Sequence, residues 1–224
     1  MTTNREVFDQ IAESWYRVRH WPLLKEELEE LAERWKSGKL LNVGCAHGPD
    51  FLSFSRDFEL WGVDFSLAML KQALRYSIKS KLYVNLINAN AISLPFPDNT
   101  FDWAISVAAY HHIKGERERE KALAELNRVL KPQGEAFLTV WNHGQPRFWF
   151  KSKEQQIPWR LKGKIVNRYY HLFSYGELKE LLVRTGWEDI TISPEKSYTF
   201  PTHHFSRNIC VLVKKRSTPH VLAD

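Results

Sequence analysis

From Lys39 to Trp141 the chain alternates short apolar runs with runs of helical periodicity, and no other feature constrains its fold as strongly. "KLLNVG" reads as a strand and "DFLSFSRDF" as a short helix. "LWGVDF" and "LAMLKQALRYSI" repeat the pair, "LYVNLIN" is a third strand, and "LPFPDNT" is a turn. "FDWAISVAAY", the helix "EREKALAELNRVL", the turn "KPQG" and the strand "EAFLTVW" complete the run. Strands that alternate with helices predict a parallel sheet covered on both faces.

Two helices are expected ahead of it, within residues 1–37. Val7, Phe8, Ile11 and Trp15 share one face of the first; Leu24, Leu28, Leu31 and Trp35 share one face of the second, whose glutamates form a solvated side. Residues 143–172 break the rhythm with a basic, aromatic stretch of weak periodicity. A helix ending at Gly186 follows, then the closing strands "EDITISPEK" and "NICVLVKK", then a tail, "STPHVLAD", expected to fray. With no repeat and no clear linker, residues 1–224 are expected to form a single domain carrying an insert at 143–172.

At 224 residues and 43% hydrophobic content the chain has enough apolar side chains for a sizeable core. No apolar run approaches the roughly 20 residues of a membrane span. The start "MTTNREVFDQ" has no apolar signal core, so a cytoplasmic protein is expected. Cys45 and Cys210 make neither a disulfide framework nor a cysteine-rich zinc site, and no metal is expected. The net charge of +6 permits an anionic partner without requiring one.

"LLNVGCAHGPDF" places Gly44 and Gly48 where the chain must turn from strand to helix. Glycine allows positive φ and close approach of a ligand, and a following helix start can offer N–H groups to an anion. An ordinary strand–helix turn would look the same. The next strand favours the ligand: Asp64 ends it 20 residues beyond Gly44, where an acid can hold ribose hydroxyls, although an acid there can also cap the next helix beside Ser66.

These residues make the chain resemble a class I S-adenosylmethionine-dependent methyltransferase over nearly its whole length. "LLNVGCAHG" and "GVDFS" resemble the first two motifs, "NANAISLPFPDNTFDWAISVAAYHHI" the third and fourth, and "RVLKPQGEAFLTVW" the approach to the fifth strand. The resemblance implies a doubly wound, mostly parallel, seven-stranded, Rossmann-like α/β sheet, with the insert after its fifth strand, and S-adenosylmethionine as cofactor. It implies Gly44, Ala46 and Gly48 around the methionine part of the cofactor. Asp64, followed by Phe65, would hold the ribose, Asn90 and Ala91 the adenine, and Ser106 to Ala108 the floor. Three positions depart from the family pattern. Asn42 stands where an acid is usual, keeping an acceptor but losing a charge; Ala46 replaces a glycine, which is tolerable at negative φ; and Asn90 replaces an aspartate, again keeping an acceptor.

A narrower resemblance follows from "VFDQIAESWYRVRHWPL", "AAYHHI", "GERERE", "PQGEAFLTVWN" and "NRYYHLFSYGELKELL": the tRNA wobble-uridine methyltransferases, which esterify a 5-carboxymethyl group on uridine 34. Members generally work with a small zinc-containing activator protein. A carboxylate is already ionised near neutral pH, so its methylation needs alignment and no general base. The residues expected at the reaction are Arg19, gripping one carboxylate oxygen, and His112. A surface ion pair of Arg19 with a glutamate of the next helix, and a packed His112, are the plainer alternatives. A shared metal on His111 and His112 is disfavoured, because adjacent side chains of extended chain diverge.

The insert itself reads as RNA-binding. Arg147, Lys151, Lys153, Arg160, Lys162, Lys164 and Arg168 face a single acid, Glu154, and are interleaved with Phe148, Trp149, Phe150, Trp159, Tyr169 and Tyr170. Cations meet phosphates and rings stack on splayed bases; a lid whose aromatics merely pack is the alternative. Arg17 and Trp21 are assigned to substrate or RNA contact with these cations. A small-molecule methyltransferase acting on a quinone, sterol or small acid, and a non-catalytic cofactor- or RNA-binding protein, remain as other readings.

Overall fold

The computed structural model describes residues 3–217, so the tail expected to fray lies outside the described residues from Thr218 onward. Five strands alternate with helices as the patterning predicts: β1 (Gly38–Val43), β2 (Phe58–Asp64), β3 (Val84–Asn88), β4 (Phe101–Val107) and β5 (Leu130–Trp141). With β8 (Trp187–Pro194) and β9 (Asn208–Lys215) they form one seven-stranded sheet of order β3-β2-β1-β4-β5-β9-β8. All neighbours pair in parallel except β9, which runs antiparallel to β5 and β8. Successive strand residues divide between two apolar clusters. Leu41, Ala104, Leu138 and Val211 pack on one face with Leu126 and Leu182; Leu40, Ile105, Phe137 and Cys210 pack on the other with Leu28 and Phe54. Side chains of a strand alternate faces, so a sheet buried on both sides reads as continuous apolar runs.

The helices are α1 (Asn4–Val18), α2 (Lys25–Trp35), α3 (Leu67–Ser80), α4 (Glu116–Val129) and α5 (Tyr175–Arg184). Thr3 with Glu6, and Ser174 with Glu177, form capping boxes at the starts of α1 and α5, where orphan N–H groups need acceptors. Asp9 of α1 accepts from Ser66 Oγ and Ala68 N–H, which fixes α1 across the start of α3.

Two expectations are corrected. "KPQG" does not end as a free turn. It is absorbed into β5 as an irregularity, where pairing with β4 slips between Phe101 and Trp103 and Gln133 takes φ +68°. The stretch after β5 is a β-hairpin rather than irregular chain: β6 (Glu154–Leu161) pairs antiparallel with β7 (Lys164–His171). Gln155, Ile157, Trp159 and Leu161 turn inward while Glu154, Gln156, Pro158 and Arg160 face out. The period of two was present in the sequence, masked by a polar residue on the inner face and a proline on the outer.

The base of this hairpin is held by His171, whose Nδ1 and Nε2 lie 2.7 and 2.6 Å from Glu154 and Glu177. Lys153 donates to Glu177 at 2.8 Å. Burial alone would raise the pKa of Glu177, but the bonds from His171 and Lys153 outweigh it and bring it down to about 2. A depressed carboxylate stabilises the fold above its unfolded pKa of about 4.3 and loses that contribution as pH falls towards its folded value. Thermal melts should therefore lose on the order of 1–2 kcal/mol through this group between about pH 4.5 and pH 2. Glu177→Gln should flatten that window; an unchanged acid limb would remove the latch.

Candidate active site

A cavity of about 470 Å³ opens across the carboxyl ends of β3, β2, β1 and β4, within the usual range for small-molecule sites. Its lining follows the sheet order. Asn90 and Ala91 come after β3, Asp64 and Phe65 from the end of β2, Gly44 to His47 after β1, and Val107 to Ala109 from the end of β4. Parallel strands place these loops side by side at a topological switch point.

The glycine turn is built for close approach. Gly44 has φ +74°, and a Cβ there would lie 2.3 Å from Ala109 Cβ. Gly48 has φ +84° and turns the chain, but it does not line the cavity. Ala46 does line it and sits at φ +48°, against the negative φ expected of an alanine there. Its N–H is tied to Asp64 Oδ2 at 2.9 Å, which holds the left-handed conformation.

The expectation that this turn presents free N–H groups to an anion holds only for His47 and Asp50, which line the cavity and have no acceptor among the described residues. Gly44 and Cys45 donate to the Val63 carbonyl, Gly48 to Cys45, and Phe51 to Gly48, while Pro49 has no N–H at all. The segment after the turn is a short 3₁₀ helix, Pro49–Phe54. The wall also offers acceptors. Asp64 is 5% exposed; its Oδ1 accepts from Ser66 N–H, and Ser66, not Asp64, caps α3. Burial lifts Asp64 to about pKa 6 against the lowering of its two backbone bonds. Carboxylate oxygens retain lone pairs for ribose hydroxyls. The close-packed Gly44 and this strand-end acid fit a nucleoside cofactor.

Other assignments divide. Asn90 and Ala91 line the cavity, with Asn90 Oδ1 also accepting from Ile92 N–H. Ser106 does not: it is fully buried and its hydroxyl donates to the Val43 carbonyl, so the floor is Val107, Ala108 and Ala109. Asn42 is buried below the cavity, and neither polar atom of its amide has a hydrogen-bond partner. Arg17 points to solvent in an ion pair with Glu13, so the structure leaves it away from the cavity.

Arg19 lies on the cavity wall with its guanidinium 4.0 Å over the Trp15 ring. Its carbonyl accepts from His47 Nε2 at 2.5 Å, which pins the end of α1 to the glycine turn. Among the described residues it makes no ion pair with α2. Trp21 stands at the same wall, 74% exposed.

His111 and His112 occupy a 3₁₀ turn rather than extended chain, so their rings meet at 4.3 Å instead of diverging. No metal-holding cluster of three or more His, Cys, Asp or Glu is present among the described residues. Burial drives His112 down to about pKa 3 and His111 well below its ordinary value, so both are neutral. His112 Nδ1 donates to the Tyr169 carbonyl, leaving Nε2 as an acceptor; His111 Nδ1 accepts from Trp141 N–H, leaving Nε2–H as a donor.

The aromatic residues of the 143–172 stretch mostly pack. Phe148, Tyr169 and Tyr170 are buried, and Trp159 donates to Ser14 Oγ; Trp149 and Phe150 are exposed. Lys153 is engaged with Glu177, and Lys164 donates to Gln10. Arg160, Lys162 and Lys151 lie on the outer surface. Arg168 is 5% exposed and sits among Trp15, Trp159 and Tyr170. Arg147 covers Trp141 and Phe148.

Tyr170, foreseen only as a stacking ring of the insert, lines the wall with residues missed in the sequence: Asp50, Trp141, Glu195 and Arg207. Glu195 accepts from the N–H groups of Arg207 and Asn208 and so places Arg207. Tyr170 is raised by burial and opposed by four cations, Arg168, Arg19, Arg207 and Arg147, none in an ion pair among the described residues. Only the alternation of Arg and aromatic residues hinted at this cluster.

Residues 41–138 match a family described as a methyltransferase domain. A protein of Encephalitozoon cuniculi named as a methyltransferase is 30% identical over 82% of this chain and 85% of its own length. The tRNA (carboxymethyluridine(34)-5-O)-methyltransferase of Schizosaccharomyces pombe is 29% identical over 81% of this chain and 86% of its own. The crystal structure of an S-adenosylmethionine-dependent methyltransferase from Clostridium acetobutylicum superposes with a TM-score of 0.71 over 94% of this chain and 97% of that one, at 13% identity.

Proposed function

We propose, for a chain that belongs to the S-adenosylmethionine-dependent methyltransferases, that the methyl acceptor is the carboxylate of a 5-carboxymethyluridine at the wobble position of a tRNA. The observation that carries this reading is the cluster of Arg19, Arg147, Arg168 and Arg207 over the neighbouring rings of Trp15, Trp141 and Tyr170, none in an ion pair among the described residues. Arg147 and Arg207 are exposed at its rim; Arg168 is buried and Arg19 half-buried without a carboxylate in ion-pair range, which is costly unless an anion completes the site. A quinone or sterol brings none; a carboxylate flanked by nucleotide phosphates brings several. The kinship with the S. pombe enzyme, named for this acceptor, supports the same choice.

The cofactor, when bound, supplies an electrophilic methyl group. Asp64 would hold its nucleoside end beside the strands, and the Gly44 turn would lie against its methionine part. Arg19 takes one carboxylate oxygen through its planar fork, leaving the other free as nucleophile. His112 Nε2 offers an acceptor to a substrate N–H such as that of uracil. No general base is needed. A thiolate mechanism finds no support, since burial raises the pKa of both Cys45 and Cys210. Trp21 and Phe150, with exposed rings, supply stacking surfaces for unpaired bases. Labelled methyl transfer to tRNA carrying the carboxymethyl group, giving a base-labile ester, tests the reading. Transfer only to free small acids would favour the small-molecule alternative, and no turnover the non-catalytic one.

RNA contact is proposed for the outer face of the β6–β7 hairpin. Neutralising Lys151, Arg160, Lys162 and Lys164 together should weaken tRNA binding and reduce the slope of log affinity against log salt by about 0.7–0.9 per lost phosphate contact. Cofactor affinity should not change. An unaltered slope would place the RNA elsewhere.

The small zinc-containing activator implied by the family resemblance is proposed to cover Leu67, Leu74 and Ile78, exposed along one side of α3, with Tyr83 before the edge strand β3. Leu74→Arg with Ile78→Arg should abolish co-elution with such an activator on size exclusion; undiminished co-elution would refute this surface.

A further inference from the structure

We propose that Asp50 binds the α-ammonium of the cofactor's methionine part, a role displaced onto it from the strand position now held by Asn42. The inference rests on the cofactor reading above and extends it to a residue outside the sequence-assigned set. Asp50 follows Gly48 and Pro49 in the 3₁₀ turn after β1, 8% exposed, and lines the cavity beside Gly44, Ala46 and His47. Among the described residues it meets no cation within ion-pair range. Asn42 is its polar neighbour, close enough to moderate its charge but with both amide atoms outside hydrogen-bond geometry. Arg19 acts on it from further away, with its guanidinium stacked on Trp15.

A carboxylate buried in this way is costly unless a cation joins it. Burial lifts its pKa to about 7 despite the attraction of Arg19. The order of the lining says which cation. Asn90 follows β3, Asp64 ends β2 and Asp50 follows β1, so Asp50 lies beyond the ribose acid, on the side away from the adenine end. Most of the turn's N–H groups are consumed, and the Asp50 carboxylate is an acceptor at this end of the cavity, which suits an ammonium with three donors. Asn42 lost the charge that the family pattern places on β1; Asp50 restores it eight positions along the chain.

Calorimetry with S-adenosylhomocysteine, and with an analogue of it lacking only the α-amino group, tests the assignment. Asp50→Asn preserves shape. It should bind S-adenosylhomocysteine about 10- to 100-fold more weakly than wild type, and the deaminated analogue within threefold of wild type. Adding Asn42→Asp to Asp50→Asn should recover part of the loss for S-adenosylhomocysteine alone. Equal losses for both ligands would make Asp50 a structural residue and overturn the proposal, as would an Asp50→Asn variant within twofold of wild type for S-adenosylhomocysteine. Failure of wild type to bind either ligand would overturn the cofactor reading itself, and the role of Asp50 with it.

Discussion

Asp64→Ala is expected to weaken S-adenosylhomocysteine binding by about 100- to 1,000-fold, which corresponds to roughly 3–4 kcal/mol. The side chain has two duties. Its oxygens accept from Ala46 N–H and Ser66 N–H, each at 2.9 Å, and its remaining lone pairs face the cavity. Losing a charged hydrogen bond to the ribose removes about 1.5–3 kcal/mol, and each N–H left unsatisfied adds about 1–3 kcal/mol where water cannot replace the acceptor. Ala46 matters most, because an alanine at φ +48° has no conformational reason to stay there once its tether is gone. The melting temperature should fall as well. Asp64→Asn, which keeps one acceptor, should lose less in both measurements. Binding of Asp64→Ala within threefold of wild type would remove this residue from the site.

Arg19→Ala is expected to reduce methyl transfer to carboxymethylated tRNA by about 30- to 100-fold in kcat/KM, a loss of roughly 2–2.7 kcal/mol. A surface ion pair would be worth almost nothing, but the guanidinium lies over Trp15 on the cavity wall. Its backbone is fixed independently by His47 and that of the next residue by Tyr76, whose hydroxyl donates to the His20 carbonyl, so truncating the side chain should leave the segment in place. Cofactor affinity should change by less than threefold. Arg19→Lys should rescue little, since an ammonium lacks the planar fork that grips one oxygen from the side. A turnover within twofold of wild type would return Arg19 to a packing role.

Much of this protein was legible from local pattern. Continuous apolar runs between helical repeats announced a sheet covered on both faces, because a strand buried on both sides has no polar face to show. Asp64 was found by its distance from Gly44, because one βα unit has a nearly constant length. The sequence also carried Gly44, whose need for φ +74° and for a bare Cα against Ala109 belongs to the turn itself.

Elsewhere the reading failed for reasons of the same kind. Ser106 looked like cavity floor because its neighbours are, but alternation along β4 turns its hydroxyl into the sheet towards Val43. Arg17 and Arg19 are two residues apart at the end of one helix, and only packing sends one to solvent and the other to the wall. Asp50 was passed over because its meaning depends on burial and on the vacant charge of Asn42. By itself the sequence determined the elements of the main sheet, their order along the chain and the position of the glycine turn, since these depend on spacings within a few tens of residues, but not the β6–β7 hairpin. Only the tertiary structure decided the chemistry of the wall. Arg19, Arg147, Arg168 and Arg207 come from distant parts of the chain, and no local periodicity records that they meet around Tyr170.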